Sequence, residues 1–146
     1  MERGRTVARY ALATIYVAAG VFHLGTPDVF VAITPGWVPF PRLVILVTGL
    51  CELAGASGLL LPRRPTSRSP LRWARPAAGI GLALYAVCVY PANIKHAMYG
   101  LPGAQMQLGW WYHAPRLAFQ PVLVWWALFA GEVTSWPFRR AKRPDA

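Results

Sequence analysis

The sequence predicts an all-α protein: a transmembrane antiparallel four-helix bundle with both termini in the cytoplasm. Three observations lead there. The chain of 146 residues is 55% hydrophobic but only 14% charged, where a soluble protein averages about 25%. Its apolar residues gather into four runs, each close to the roughly 20 residues that cross a bilayer core as a helix. Its basic residues lie between those runs and favour one side. The N-terminus (Arg3, Arg5, Arg9), a middle loop of five arginines and the tail (Arg139, Arg140, Lys142, Arg143) hold twelve of the fifteen Lys and Arg; Arg42, Lys95 and Arg116 fall on the other side. Positive charge stays cytoplasmic, which sets the orientation.

One membrane domain covers residues 1–146. The first span is residues 7–24, and its length and the spans that follow favour a retained helix over a cleaved signal peptide. Pro27, Pro35, Pro39 and Pro41 forbid a long helix in the first connection. Phe30, Trp37 and Phe40 suit the headgroup layer there. The second span is residues 43–61. Residues 62–76 (PRRPTSRSPLRWARP) form a basic cytoplasmic loop and not a helix. The third span is residues 77–99, with a kink at Pro91. The fourth is residues 114–133, after the aromatic cluster Trp110, Trp111 and Tyr112. Residues 137–146 are a basic tail. No internal repeat is evident.

Small residues let such helices approach closely. They predict packing faces of Ala13, Tyr16, Gly20 and His23 in the first span, Gly49, Glu52 and Ala56 in the second, and Ala78, Gly81, Tyr85, Cys88 and Ala92 in the third. Cys51 and Cys88 form no CxxC and read as small buried hydrophobes. The net charge of +10 does not mark a nucleic-acid binder, because no face interleaves basic and aromatic residues.

The polar residues inside the spans carry the functional signal. Glu52 sits near the middle of the second span, where an unpaired carboxylate costs at least ~2.5 kcal/mol. By depth, His23, Asn93, Arg116 and Gln120 lie in the outer half with it. Arg116 and Gln120 share a helix face through their i,i+4 spacing. Nothing comparable is expected in the inner half. Arg116, Gln120, Asn93 or His23 is expected to face Glu52, and Arg116 is the best candidate, directly or through water, since its planar fork can bind a carboxylate bidentately. The five residues then form either an outward-facing pocket for a small ligand or a register-fixing polar core. His23, His96 and His113 lack the spacing of a metal or haem site. His96 and His113 read as interfacial histidines in or beside a loop. No metal is expected.

Four strings in order add a resemblance: AGVFHLGTPDVF (Ala19–Phe30), TGLCELAGASGLLLP (Thr48–Pro62), YPANI (Tyr90–Ile94) and RLAFQ (Arg116–Gln120). Together they resemble the DoxX-like family of small four-helix membrane proteins, over roughly residues 13–130. Family patterns of the form AGxxHFxxP, GxxE, PAN and RLPLQ map onto His23, Glu52, Asn93, Arg116 and Gln120. Leu24 and Ala118 depart from those patterns, and Pro115 and Pro121 flank the last.

The resemblance implies a membrane setting linked in some members to thiosulfate:quinone oxidoreduction or oxidative stress. Similar bundles in distant families reduce quinones, isomerise sterols or assist receptor assembly, so the fold does not choose the function. The expectation is a multi-pass protein of a bacterial inner or plasma membrane. It binds an amphipathic ligand, quinone or lipid, or serves as an accessory subunit. The alternatives are a membrane subunit of a quinone-linked oxidoreductase and an intramembrane acid–base isomerase. Whether it is an enzyme stays open. No cofactor motif is present, and quinone is the one the redox alternative implies. The lipid bilayer is the partner read most directly. A redox partner subunit and a homo-oligomer are compatible with it.

Overall fold

The structure, a computed structural model, describes residues 2–62, 70–101 and 108–138. Arg63, Arg64 and Arg68 of the predicted middle loop, Pro102 and the tail from Arg139 lie outside the described residues. Among the described residues every regular element is helical: α1 (Glu2–Gly25), α2 (Pro27–Ile33), α3 (Pro41–Leu60), α4 (Ala74–Tyr99), α5 (Trp110–Ala118) and α6 (Gln120–Ala130). Three helical segments, Glu2–Gly25, Pro41–Leu60 and Leu71–Tyr99, are long and apolar enough to cross a membrane.

The prolines set the starts. Pro27 and Pro41 occupy the first turns of α2 and α3, where a missing N–H costs nothing. Pro91 is different, because it lies inside α4, which continues past it to Tyr99. The predicted loop 62–76 is shortened in consequence of a 3₁₀ turn over Pro70–Trp73 that leads into α4 at Ala74. Arg75 and Pro76 are therefore helical, with Pro76 tolerated in the first turn.

The expected fourth span is not one helix. It begins earlier, at Trp110, ends at Ala130, and is interrupted at Phe119. Pro121 offers no N–H to the carbonyl four residues back. Phe119 keeps helical angles (φ −74°, ψ −16°), and its N–H still bonds the Pro115 carbonyl at 2.9 Å.

α3 packs between α1 and α4, and α6 closes against both α4 and α1. α1, α3, α4 and α6 thus enclose a core of Leu12, Ala13, Tyr16, Ala56, Leu59, Leu82, Ala83, Ala127 and Ala130. We call the end where α1 and α4 begin and α3 and α6 finish the near end. The far end is where α1 and α4 finish and α3 and α5 begin.

The core is built mostly of alanine, so backbones come close. A Cβ on Gly79 would stand 2.7 Å from the Ala127 carbonyl oxygen and 2.8 Å from the Gly131 Cα. The buried face of α4 is accordingly Gly79, Leu82, Ala83 and Ala86. Gly81 and Cys88, assigned to that face from the sequence, are exposed. Both cysteines are exposed free thiols rather than core residues. Cys88 is among the residues that line a cavity at the far end.

The near end holds a polar cluster where none was expected. Arg9 Nη2 and Arg75 Nη1 lie 2.8 and 2.9 Å from the same oxygen of Glu132. Arg9 Nε also donates to the Ala130 carbonyl at 3.2 Å. Glu132 has a left-handed backbone, φ 65°, as the residue just past the end of α6. There Val133 N–H returns to the Leu128 carbonyl and Glu132 N–H to the Phe129 carbonyl. Glycine usually fills this cap position. A glutamate tolerates it because its carboxylate joins α1 to α4.

Three outcomes follow for thermal unfolding of the purified protein. Gly79→Ala should destabilise by about 1–3 kcal/mol through overpacking. Gly81→Ala, with nothing within 4 Å of the new methyl, should raise stability by up to ~1 kcal/mol through helix propensity. Glu132→Gly should relieve about 1–2 kcal/mol of left-handed strain yet lose roughly 3–5 kcal/mol by stranding two buried arginines, for a net loss. An unchanged or raised melting temperature would show that the near-end ion pairs contribute nothing.

Candidate functional site

The site grows from the contact between α1 and α3. A Cβ on Gly20 would meet the Gly49 carbonyl oxygen at 2.8 Å, and one on Gly49 would meet the His23 Cβ at 3.0 Å. Two glycines therefore let the helices touch one turn from Glu52. Glu52 is 2% exposed and His23 9%.

The close ionic neighbour of Glu52 is His23, not Arg116. His23 Nδ1 stands 2.9 Å from Glu52 Oε2. The same nitrogen is 2.9 Å from the Ala19 carbonyl, and its bond is directed there. Glu52 Oε2 is left without an aligned donor. The Tyr85 hydroxyl of α4 approaches the same carboxylate. Tyr85 in turn packs edge-on against Tyr16, with ring centroids 6.1 Å apart. Phe30 of α2 stacks flat on His23 at 3.7 Å and fixes its ring. Phe30 thus belongs to the site, although its aromatic character alone placed it only at a membrane surface.

The other three predicted residues form a second group. Asn93 Nδ2 donates to Gln120 Oε1 at 3.3 Å. Gln120 Nε2 donates to the Ala86 carbonyl. Arg116 Nη2 donates to the Asn93 carbonyl at 3.3 Å, and its guanidinium lies 5.6 Å from the Tyr112 ring centre. Arg116 makes no ion pair among the described residues. No direct Glu52–Arg116 pair forms; of the four candidates it is His23, on the helix packed tightly against α3, that stands at the carboxylate.

A cavity of about 220 Å³ joins the two groups at the far end. His23, Thr48, Tyr85, Asn93 and Arg116 give it a polar wall, and Ile45, Val89 and their neighbours give it an apolar one. Glu52 and Gln120 stand behind that wall. Tyr85 was legible only as a packing residue, since an aromatic on a helical stripe carries no sign of its hydroxyl's partner.

His96 and His113 also differ from expectation. They are buried, with ring centroids 4.9 Å apart in an edge-to-face arrangement. Each has an Nδ1 without a partner. No group of three metal-ligating side chains occurs among the described residues.

Fold and site define a class: an all-helical protein with three helices apt to cross a membrane and a mostly apolar cavity with a few polar groups at one end. Residues 12–131 match the family model described as "Domain of unknown function (DUF8561)", and the chain belongs to that family. No curated protein and no solved structure matches it.

A double-mutant cycle tests the dyad. His23→Asn and Glu52→Gln should each destabilise, but their combination should fall short of the sum by about 1–2 kcal/mol. Additive losses in chemical or thermal unfolding would mean that the 2.9 Å approach carries no coupling.

Proposed function

We propose that this chain is a multi-pass membrane protein of DoxX-like type, a four-helix bundle with cytoplasmic termini, that binds a small amphipathic ligand at its far end. The observation that carries this is the cavity, mostly apolar with a few polar side chains, and backed by a buried carboxylate. Its volume is about 220 Å³, below the roughly 300–1,000 Å³ of pockets that enclose drug-sized molecules. A single ring or a lipid head enters, and an attached chain stays outside. His23, Asn93 and Arg116 present nitrogen atoms to a carbonyl or hydroxyl oxygen. Quinone and lipid both fit that description.

The bilayer setting has its own support. Leu84 and Val87 are 61% and 56% exposed in the middle of α4, an arrangement that water penalises and lipid does not. Trp37, Trp110 and Trp111 are exposed at the far end, and Trp73 and Trp136 at the near end. Indole rings gather at the two surfaces of a membrane. The part formed by α5 and α6 completes the four-helix reading as a helix broken at Phe119. The ordered strings that resemble the DoxX-like family support the same reading.

A second reading, an intramembrane acid–base catalyst, draws on the His23–Glu52–Tyr85 contact. His23 would exchange a proton with the ligand, and Glu52 would stabilise the imidazolium.

Mass spectrometry of the protein purified in mild detergent should show a co-purifying quinone or lipid. Thr48→Trp fills the cavity and should reduce its retention at least tenfold, with helix content unchanged. Equal retention by both proteins would favour an accessory subunit whose polar cluster is structural.

A further inference from the structure

The near end, opposite the cavity, contains more buried positive charge than it neutralises. Arg5 and Arg9 of α1 are 4% and 6% exposed, and Arg75 of α4 is partly buried. Glu132 takes ion pairs from Arg9 and Arg75. Arg5 has no carboxylate within ion-pair distance among the described residues. Its Nη2 donates to the Thr134 carbonyl at 3.2 Å, and its guanidinium lies 4.8 Å from the Phe129 ring centre. Its Nε is buried with no partner at all. Glu2 also acts on Arg9, as the weakest of its charged neighbours, and is exposed. Even with Glu2 counted, three guanidinium groups face two carboxylates. A buried charge persists only when paired, so the surplus calls for an anion from outside the described residues.

The surroundings point to the source of that anion. Tyr10, Trp73, Trp136 and Phe138 are exposed rings of the near end, between 51% and 71% accessible. Such rings mark the headgroup level, where lipid phosphates lie. Guanidinium groups bind phosphate through paired, charge-assisted hydrogen bonds. Basic pockets between membrane helices take anionic headgroups by this chemistry.

We propose that Arg5, with Arg9 beside it, holds a phosphate oxyanion at the near end, supplied by the headgroup of an anionic phospholipid. The proposal rests on the membrane-spanning reading and is independent of the far-end ligand. Of the three guanidinium nitrogens of Arg5, Nη2 donates to the Thr134 carbonyl and Nη1 makes no hydrogen bond among the described residues, so Nη1 reaches the phosphate while Nη2 still anchors Thr134. Glu132 holds Arg9 and Arg75 in place and limits the site to a single negative group.

Native mass spectrometry of the full chain released from phosphatidylcholine nanodiscs with equimolar phosphatidylglycerol tests this. The wild-type protein should retain phosphatidylglycerol over phosphatidylcholine, and Arg5→Gln should lower that retention about tenfold, the effect of one charge-assisted hydrogen bond. Arg5→Lys should retain part of it, and Arg3→Gln, at an exposed position, should match the wild type. If Arg5→Gln does not fold, the wild-type comparison decides alone, because equal retention of the two lipids overturns the proposal. Free inorganic phosphate provides the other arm. Stabilisation of the detergent-purified protein by phosphate, dependent on Arg5 and without preference for phosphatidylglycerol, overturns the lipid source. A chain that fractionates in buffer without detergent undoes the membrane reading, an outcome distinct from either.

Discussion

Burial of Glu52 is the constraint on which the far end depends. A carboxylate at 2% exposure must be solvated by the protein or neutralised. Gly20 and Gly49 make this feasible. Without side chains of their own, they let α1 and α3 close until the imidazole of His23 reaches the carboxylate. That contact then dictates the rest. α2 must turn back so that Phe30 covers the histidine. α4 must present Tyr85 to the same oxygen pair. Space is left beside His23 and Tyr85 because neither ring fills the gap toward Asn93 and Arg116, and that space is the cavity.

The near end solves the opposite problem. There the excess is positive, and a single carboxylate on a strained cap residue gathers two arginines from different helices. Between the ends the core is alanine and leucine around Tyr16, whose hydroxyl donates to the Leu82 carbonyl at 3.5 Å. The two ends hold the helices in register, one through a histidine–glutamate contact and the other through an arginine–glutamate–arginine bridge. A slide of α1 along its axis would break both together, which is why α1 carries buried polar residues at each end: Arg5 and Arg9 at one, His23 at the other.

Much of this was legible in the chain. The faces of α1 and α3 followed from helical spacing, since each has one stripe of small residues broken by one ionisable group. The five polar residues were found by depth, and three of them line one cavity. α4 was misread for a physical reason. It carries small residues on more than one face, and Gly79 and Gly81 are equivalent by composition. Only the partner backbone of α6 distinguishes them. The pairing of Glu52 was misread because arginine is the stronger partner in general, whereas proximity is decided by helix packing. Arg5 and Arg9 looked like solvated topology signals. Their burial depends on Thr134 and Glu132, more than a hundred residues away, and no local pattern encodes such contacts.

The two polar ends also differ in what they leave unsatisfied, and this bears on function more than their stabilising roles do. A cluster that only fixes register has every reason to complete its hydrogen bonds, because each orphaned buried group costs about 1–3 kcal/mol. Here Glu52 Oε2, Arg116 Nε and the paired imidazoles of His96 and His113 are incomplete at the far end, and Arg5 Nε at the near end. The carboxylate lies directly behind a cavity, and Arg116 lines it. By contrast Asn93, which also lines the cavity, donates to Gln120, and Gln120 donates to the Ala86 carbonyl. The incomplete groups among the described residues thus lie toward the two ends of the helices and not in the apolar core that the helices enclose.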